Sequence, residues 1–145
     1  MIANEREYRI TKTELRRFEG AVKAHEESTP GEGVDPRIHK AMGDAMRSEI
    51  EVLGGQVKHY EDLRDGRISE RELGSLRDLP TALIEARIAA GLTQKALSER
   101  LEVAEQQIQR WEANLYSGVG VDRLQEVADA LGMAVRETVS YAVPA

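Results

Sequence analysis

Leu92 to Glu112, LTQKALSERLEVAEQQIQRWE, is the stretch whose reading decides the fold. Its apolar residues fall on two short helical faces separated by a break. Thr93 sits where an N-cap belongs, and Leu97 and Leu101 mark the buried face of a first helix. Glu102-Val103-Ala104 fills the turn. Ile108 and Trp111 mark the inner face of a second helix, which turns Glu105, Gln106, Gln109 and Arg110 outward. Glutamine amides and arginine guanidiniums are the groups that make paired hydrogen bonds to adenine and guanine edges.

Working outward, Leu83, Ile84 and Ile88 share one face of a preceding helix that starts near Leu79 and that Gly91 stops. On the other side, Ala113 to Gly120 reads as a loop. It leads into VDRLQEVADALG, where Leu124, Val127, Ala128 and Leu131 face inward and Gly132 takes the C′ position. Beyond it, Val135, Glu137, Val139, Tyr141 and Val143 alternate with Arg136, Thr138, Ser140 and Ala142, which is the period of a strand. A single strand in a helical chain has no partner of its own, so pairing with a second copy is the expectation.

The layout resembles the Xre/Cro/phage-repressor family of helix-turn-helix proteins over about residues 79–133. The likeness is carried by Leu92-Thr93-Gln94, Leu97…Leu101…Val103, Ile108…Trp111-Glu112 and Leu124…Ala128…Leu131-Gly132. It implies a mainly α fold with a four- to five-helix, lambda-repressor-like DNA-binding domain whose second motif helix reads the major groove. It further implies that Arg87 and Glu112 pair across helices. Candidate DNA contacts are then Thr93, Gln94, Glu105, Gln106, Gln107, Gln109 and Arg110, with Asn114 and Tyr116 in the following loop as phosphate donors. Trp111 belongs to the core. The sequence departs from the family at Ser98, where a small alanine usually packs, at Glu102, where glycine usually turns, and at Ala104, where the reading helix lacks a hydroxyl N-cap.

Residues 1–64 read as a helical arm. Thr11 and Glu14 form a capping box, with Ile10 and Leu15 as its staple, so the spacing predicts a first helix over about 12–25. Residues 26–35 are a loop by composition. Asp35-Pro36 then reads as N-cap and N1 of a long helix, whose stripe runs Ile38, Met42, Met46, Ile50, Leu53, Val57 and Tyr60 to about Leu63. Gly54-Gly55 within it reads as a kink or a close helix crossing. Residues 65–78 form a joint in which Ser69 to Glu72 predicts one more short helix, and residues 134–145 are the C-terminal strand. Ile2…Asn4-Glu5…Tyr8 and Tyr60-Glu61 are similar to the arm of HigA-type antitoxins. That resemblance implies a ribonuclease toxin as partner and repression of the protein's own operon.

Composition narrows the classes. The 145 residues are 41% hydrophobic and 32% charged, as in a globular chain with a modest core. There is no cysteine, and His25, His39 and His59 show no ligand spacing, so neither a metal nor any other cofactor is expected. No nucleophile elbow or glycine-rich phosphate loop is present, which argues against an enzyme. No apolar run nears the roughly 20 residues of a membrane span, and a cytoplasmic location is the expectation. The net charge of −6 limits phosphate attraction, and Thr81 to Trp111 is neutral, with Arg87, Lys95, Arg100 and Arg110 against Glu85, Glu99, Glu102 and Glu105. A homodimer on a palindromic double-stranded operator is therefore expected. Three readings stand: a repressor, a protein-binding antitoxin with little DNA binding, and a scaffold in which the motif only packs.

Overall fold

The computed structural model describes all 145 residues as two compact units, Met1–Glu70 and Arg71–Ala145. Every regular element is helical.

The first unit is an antiparallel hairpin of α1 (Glu5–Glu26) and α2 (Pro36–Arg64). α1 begins seven residues before Lys12, because Asn4 is its cap: the Asn4 side chain accepts from the Glu7 N–H at 2.9 Å. Glu7 Oε2 in turn accepts from the Ala3 N–H at 2.8 Å. The Thr11/Glu14 box expected from the sequence therefore lies inside the helix, with Ile10 exposed rather than stapled. A cap stabilises only where the helix actually starts, and the earlier start gains by burying Ile2 and Tyr8. α2 starts as expected, with Asp35 accepting from the Arg37 N–H at 2.8 Å and proline in its first turn.

The hairpin is closed at one end and loose at the other. Tyr8 and Tyr60 stack at 5.0 Å between centroids, beside buried Ile2, Leu53, Val57 and Leu63. Toward the connecting loop, Leu15, Phe18, Val22, Met46 and Ile50 are only half-buried. There His25 and His39 stack at 4.0 Å, and Gly43 makes room for them: a Cβ at that position would meet the His25 ring at 2.9 Å. Gly54 and Gly55 do not mark a close crossing, since a Cβ on either would meet nothing within 4 Å and α2 runs through them unbroken.

The expected helix over 69–72 is absent. Gly74 and Pro80 leave that run too short to nucleate, and Ser75 instead caps a single 3-10 turn, Leu76–Asp78, in a box with Asp78. The second unit continues with α3 (Leu79–Ala89), α4 (Gln94–Leu101), α5 (Glu105–Ala113) and α6 (Val121–Ala130). Leu83, Ile84, Leu97, Ile108 and Val127 are wholly buried and form its core. Arg71 donates to the buried Glu85 carboxylate at 2.7 Å, which ties the start of this unit to α3. Residues 134–145 form no strand, and Val139, Tyr141 and Val143 are exposed. A lone strand in an α chain has no ladder for its N–H and C=O groups, so the alternation alone does not order it.

Candidate nucleic-acid interface

Two short helices joined by a tight turn build the candidate interface. Thr93 caps α4, its Oγ1 accepting from the Ala96 N–H at 3.0 Å. α4 ends at Glu102, which adopts the left-handed conformation, φ 55° and ψ 39°. This is the departure from glycine noted in the sequence, and a non-glycine residue there carries about 1–2 kcal/mol of strain. The Val103 N–H then donates to the Ser98 carbonyl at 3.0 Å and closes the turn. Ala104 gives α5 no side-chain cap.

The inner side of α5 is fastened to the domain by an ion pair. Arg87 donates through Nε to Glu112 Oε1 at 2.5 Å and through a terminal nitrogen to Oε2 at 2.8 Å, both side chains being almost wholly buried. Arg87 also donates to the Leu92 carbonyl at 2.9 Å, so one guanidinium joins α3, the start of the motif and α5. Gln94 adds a further bond, its amide donating to Glu112 Oε2 at 2.8 Å. Ile108 beside it is fully buried, and Trp111 is half-buried with the Arg123 guanidinium 5.7 Å above its ring.

The outer side of α5 presents a different chemistry. Glu105, Gln106, Gln109 and Arg110 are exposed, and Gln107 is half-exposed. Gln109 donates weakly to Glu105, at 3.3 Å. The Gln106 and Arg110 side chains engage no other group of the chain and are separated by one helical turn. Asn114, at the C-terminal end of α5, is also exposed.

Two candidate contacts sit otherwise than the sequence reading puts them. Tyr116 is 3% exposed, and its hydroxyl lies inside the domain with no hydrogen-bonding partner in the chain, so it is a core side chain rather than a phosphate donor. Burial, with the nearby Glu112 charge, holds that phenol protonated well above its ordinary range. The cause is local: Leu115 and Tyr116 both take positive φ, 48° and 52°, which folds Tyr116 under the ring of Trp111. A loop read only by its polar content gives no sign of this. Gln94 has its amide nitrogen engaged by Glu112, a fastening role that sequence reasoning missed. No group of three or more histidine, aspartate or glutamate side chains is placed to hold a metal ion, and no helix is long and apolar enough to cross a membrane.

Residues 83–137, a little over a third of the chain, match the Helix-turn-helix family model (HTH_3). The match begins inside α3, takes in the α4–α5 motif and α6, and ends in the tail. No curated protein and no solved structure matches the chain. Within the second unit, residues 83–137 thus match a helix-turn-helix domain of the Xre/Cro type, the kind found in DNA-binding transcriptional regulators.

Proposed function

We propose that the protein is a sequence-specific transcriptional repressor that binds a palindromic operator as a homodimer. The observation that carries this reading is the division of α5. Its inner side is locked by a buried ion pair, while Gln106 and Arg110 stand free on the outer side with the hydrogen-bonding groups suited to adenine and guanine. Helix-turn-helix dimers hold their reading helices about 34–36 Å apart to meet successive major grooves. The alternating segment Val135 to Val143, exposed in the single chain, is the element assigned to dimer pairing because it directly follows the domain to be positioned. Selecting duplexes from a random pool with the wild-type chain tests the first point. Gln106→Ala and Arg110→Ala should each weaken the selected site by about 1–3 kcal/mol and leave the thermal midpoint unchanged. If neither variant alters binding, α5 does not read bases through these residues. Removing residues 134–145 should lower both dimerisation and duplex affinity; a stable dimer that still binds would move the pairing to the arm.

A second reading adds to the first. The arm leaves Ile38, Met42 and Val52 exposed along α2, an apolar side suited to a protein partner. This supports an antitoxin role, in which the arm covers a toxin and the domain represses the operon that encodes both. Co-purification of one stoichiometric partner with the wild type, lost in an Ile38→Glu/Met42→Glu variant, is the expected result.

A further inference from the structure

The outer face of α1 carries an unexplained charge pattern. Positions 6, 9, 13, 16, 17, 20 and 24 recur at helical steps and hold Arg6, Arg9, Thr13, Arg16, Arg17, Gly20 and Ala24, four arginines and no acid. All seven are exposed, on the side of α1 away from Tyr8, Leu15, Phe18 and Val22. The glutamates of the same helix are engaged or lie beside this face: Glu5 accepts from the Tyr60 hydroxyl, and Glu7 caps the N-terminus. None of the four arginines forms an ion pair. The contrast with α2 is plain, where Lys40, Arg47, Lys58 and Arg64 all pair with carboxylates. Thr13 is the small side chain between Arg9 and Arg16, Gly20 and Ala24 continue the face beyond Arg17, and the space around Gly20 is open.

We infer that this face of α1 binds the phosphate backbone of duplex DNA without regard to sequence. Arg6 and Arg17 lie roughly 16 Å apart along the helix at 1.5 Å per residue. Duplex DNA presents one negative charge per about 1.7 Å of its axis, so such a row meets phosphates in any register. Guanidinium matches phosphate in a planar, paired geometry, and the small Thr13, Gly20 and Ala24 on the same face let the helix backbone come close. Duplex DNA is favoured over an acidic protein because the same chain carries a DNA-binding domain, which raises the local concentration of phosphate at a tethered arm. That domain needs the help, since Thr81 to Trp111 is electrically neutral. The inference rests on the DNA-binding reading of the second unit, and it gives the two units separate tasks: the domain selects the site, and the arm supplies affinity that salt can screen.

The test uses the full chain carrying Arg6→Gln, Arg9→Gln, Arg16→Gln and Arg17→Gln together. These side chains are exposed, so helix content and the melting midpoint should stay at wild-type values. Binding is followed by anisotropy on two labelled duplexes, one selected by the wild type and one of scrambled sequence. The slope of log affinity against log salt should become shallower by about 3–4, close to 0.9 for each phosphate no longer neutralised. Between about 50 and 200 mM salt the wild type should then lose roughly a hundredfold more affinity than the variant. The ratio of selected to scrambled affinity should hold. Gln106→Ala/Arg110→Ala should do the reverse, lowering that ratio and shifting the slope by about one at most. A wild-type slope in the fourfold variant overturns the inference and leaves the reading of the domain intact. Loss of an acidic protein partner with that slope unchanged assigns the face to protein and overturns it as well. Failure of the wild type to bind either duplex rejects the DNA reading together with this one.

Discussion

The hairpin of α1 and α2 and the domain of α3 to α6 use similar helical material in opposite ways. The domain turns its apolar residues inward from four directions, so Leu97, Ile108 and Val127 have no exposed surface at all. The hairpin has only two helices, and each can cover one side of the other. Tyr8, Leu53, Val57 and Tyr60 are buried, but Phe18, Val22, Met46 and Ile50 stay half in water. Charge follows the same division. Arg87 and Glu112 are paired inside the domain, whereas the ion pairs of the hairpin lie largely at its surface, where each contributes about 1 kcal/mol or less. Two helices make a surface with a modest core, and four make a core with a modest surface.

The sharpest way to break that comparison is Glu112→Ala. Stranding Arg87 in the core should cost the domain about 3–5 kcal/mol, toward the lower end because the Leu92 carbonyl remains as an acceptor. Trp111 is the only tryptophan, so its fluorescence in urea reports this unit alone. Hydrogen exchange of α1 amides should not change. If both signals shift together, the two units unfold as one. Leu53→Ala is the complementary experiment, expected to destabilise the hairpin by about 2–3 kcal/mol, the low end for leucine because a core made by only two helices can close partly around the lost side chain. It should leave the Trp111 transition where it is.

Smaller effects sharpen the contrast and have the opposite sign. Gly54→Ala, in open space mid-helix, should stabilise the hairpin by about 1 kcal/mol. Glu102→Gly should stabilise the domain by roughly the same amount, since it relieves a left-handed glutamate. Thermal midpoints measured unit by unit decide whether each gain stays local. The smallest effect concerns acid. Hydrogen bonds from Lys58, then Arg67, hold the Asp62 carboxyl below its ordinary value of 3.8. A lowered pKa in the folded state means that ionised Asp62 favours folding. This contribution is therefore full above the ordinary carboxylate range and is lost as pH falls through the folded pKa. Asp62→Asn should flatten the acid limb of the hairpin's stability curve and leave that of the domain alone.

What the sequence discloses follows the strength of local signals. The α4–α5 motif is legible because a cap, two periodic faces and a short turn agree within Leu92 to Glu112. The length of α2 is legible from Asp35-Pro36 and an unbroken stripe. The start of α1 is not, because Thr11/Glu14 and Asn4/Glu7 are equally good caps on paper. Only the packing of Ile2 and Tyr8 selects between them. Tyr116 is hidden for a related reason, since two consecutive left-handed residues bury a side chain that its loop composition advertises as exposed. The tail shows the limit of periodicity: alternation states which face a strand would have, and backbone partners decide whether it exists.

The bond between Arg87 and Glu112 has a consequence for descent. Because the attachment of α5 is made by side chains that never face outward, Gln106, Gln109 and Arg110 take no part in holding the helix in place. On the proposed reading, mutation at these positions changes what is recognised without first dismantling what recognises it. If the outer side reads bases as proposed, two copies can diverge after a gene duplication toward different duplex sequences through substitutions that are each compatible with folding, with the ion pair as the fixed point of that drift.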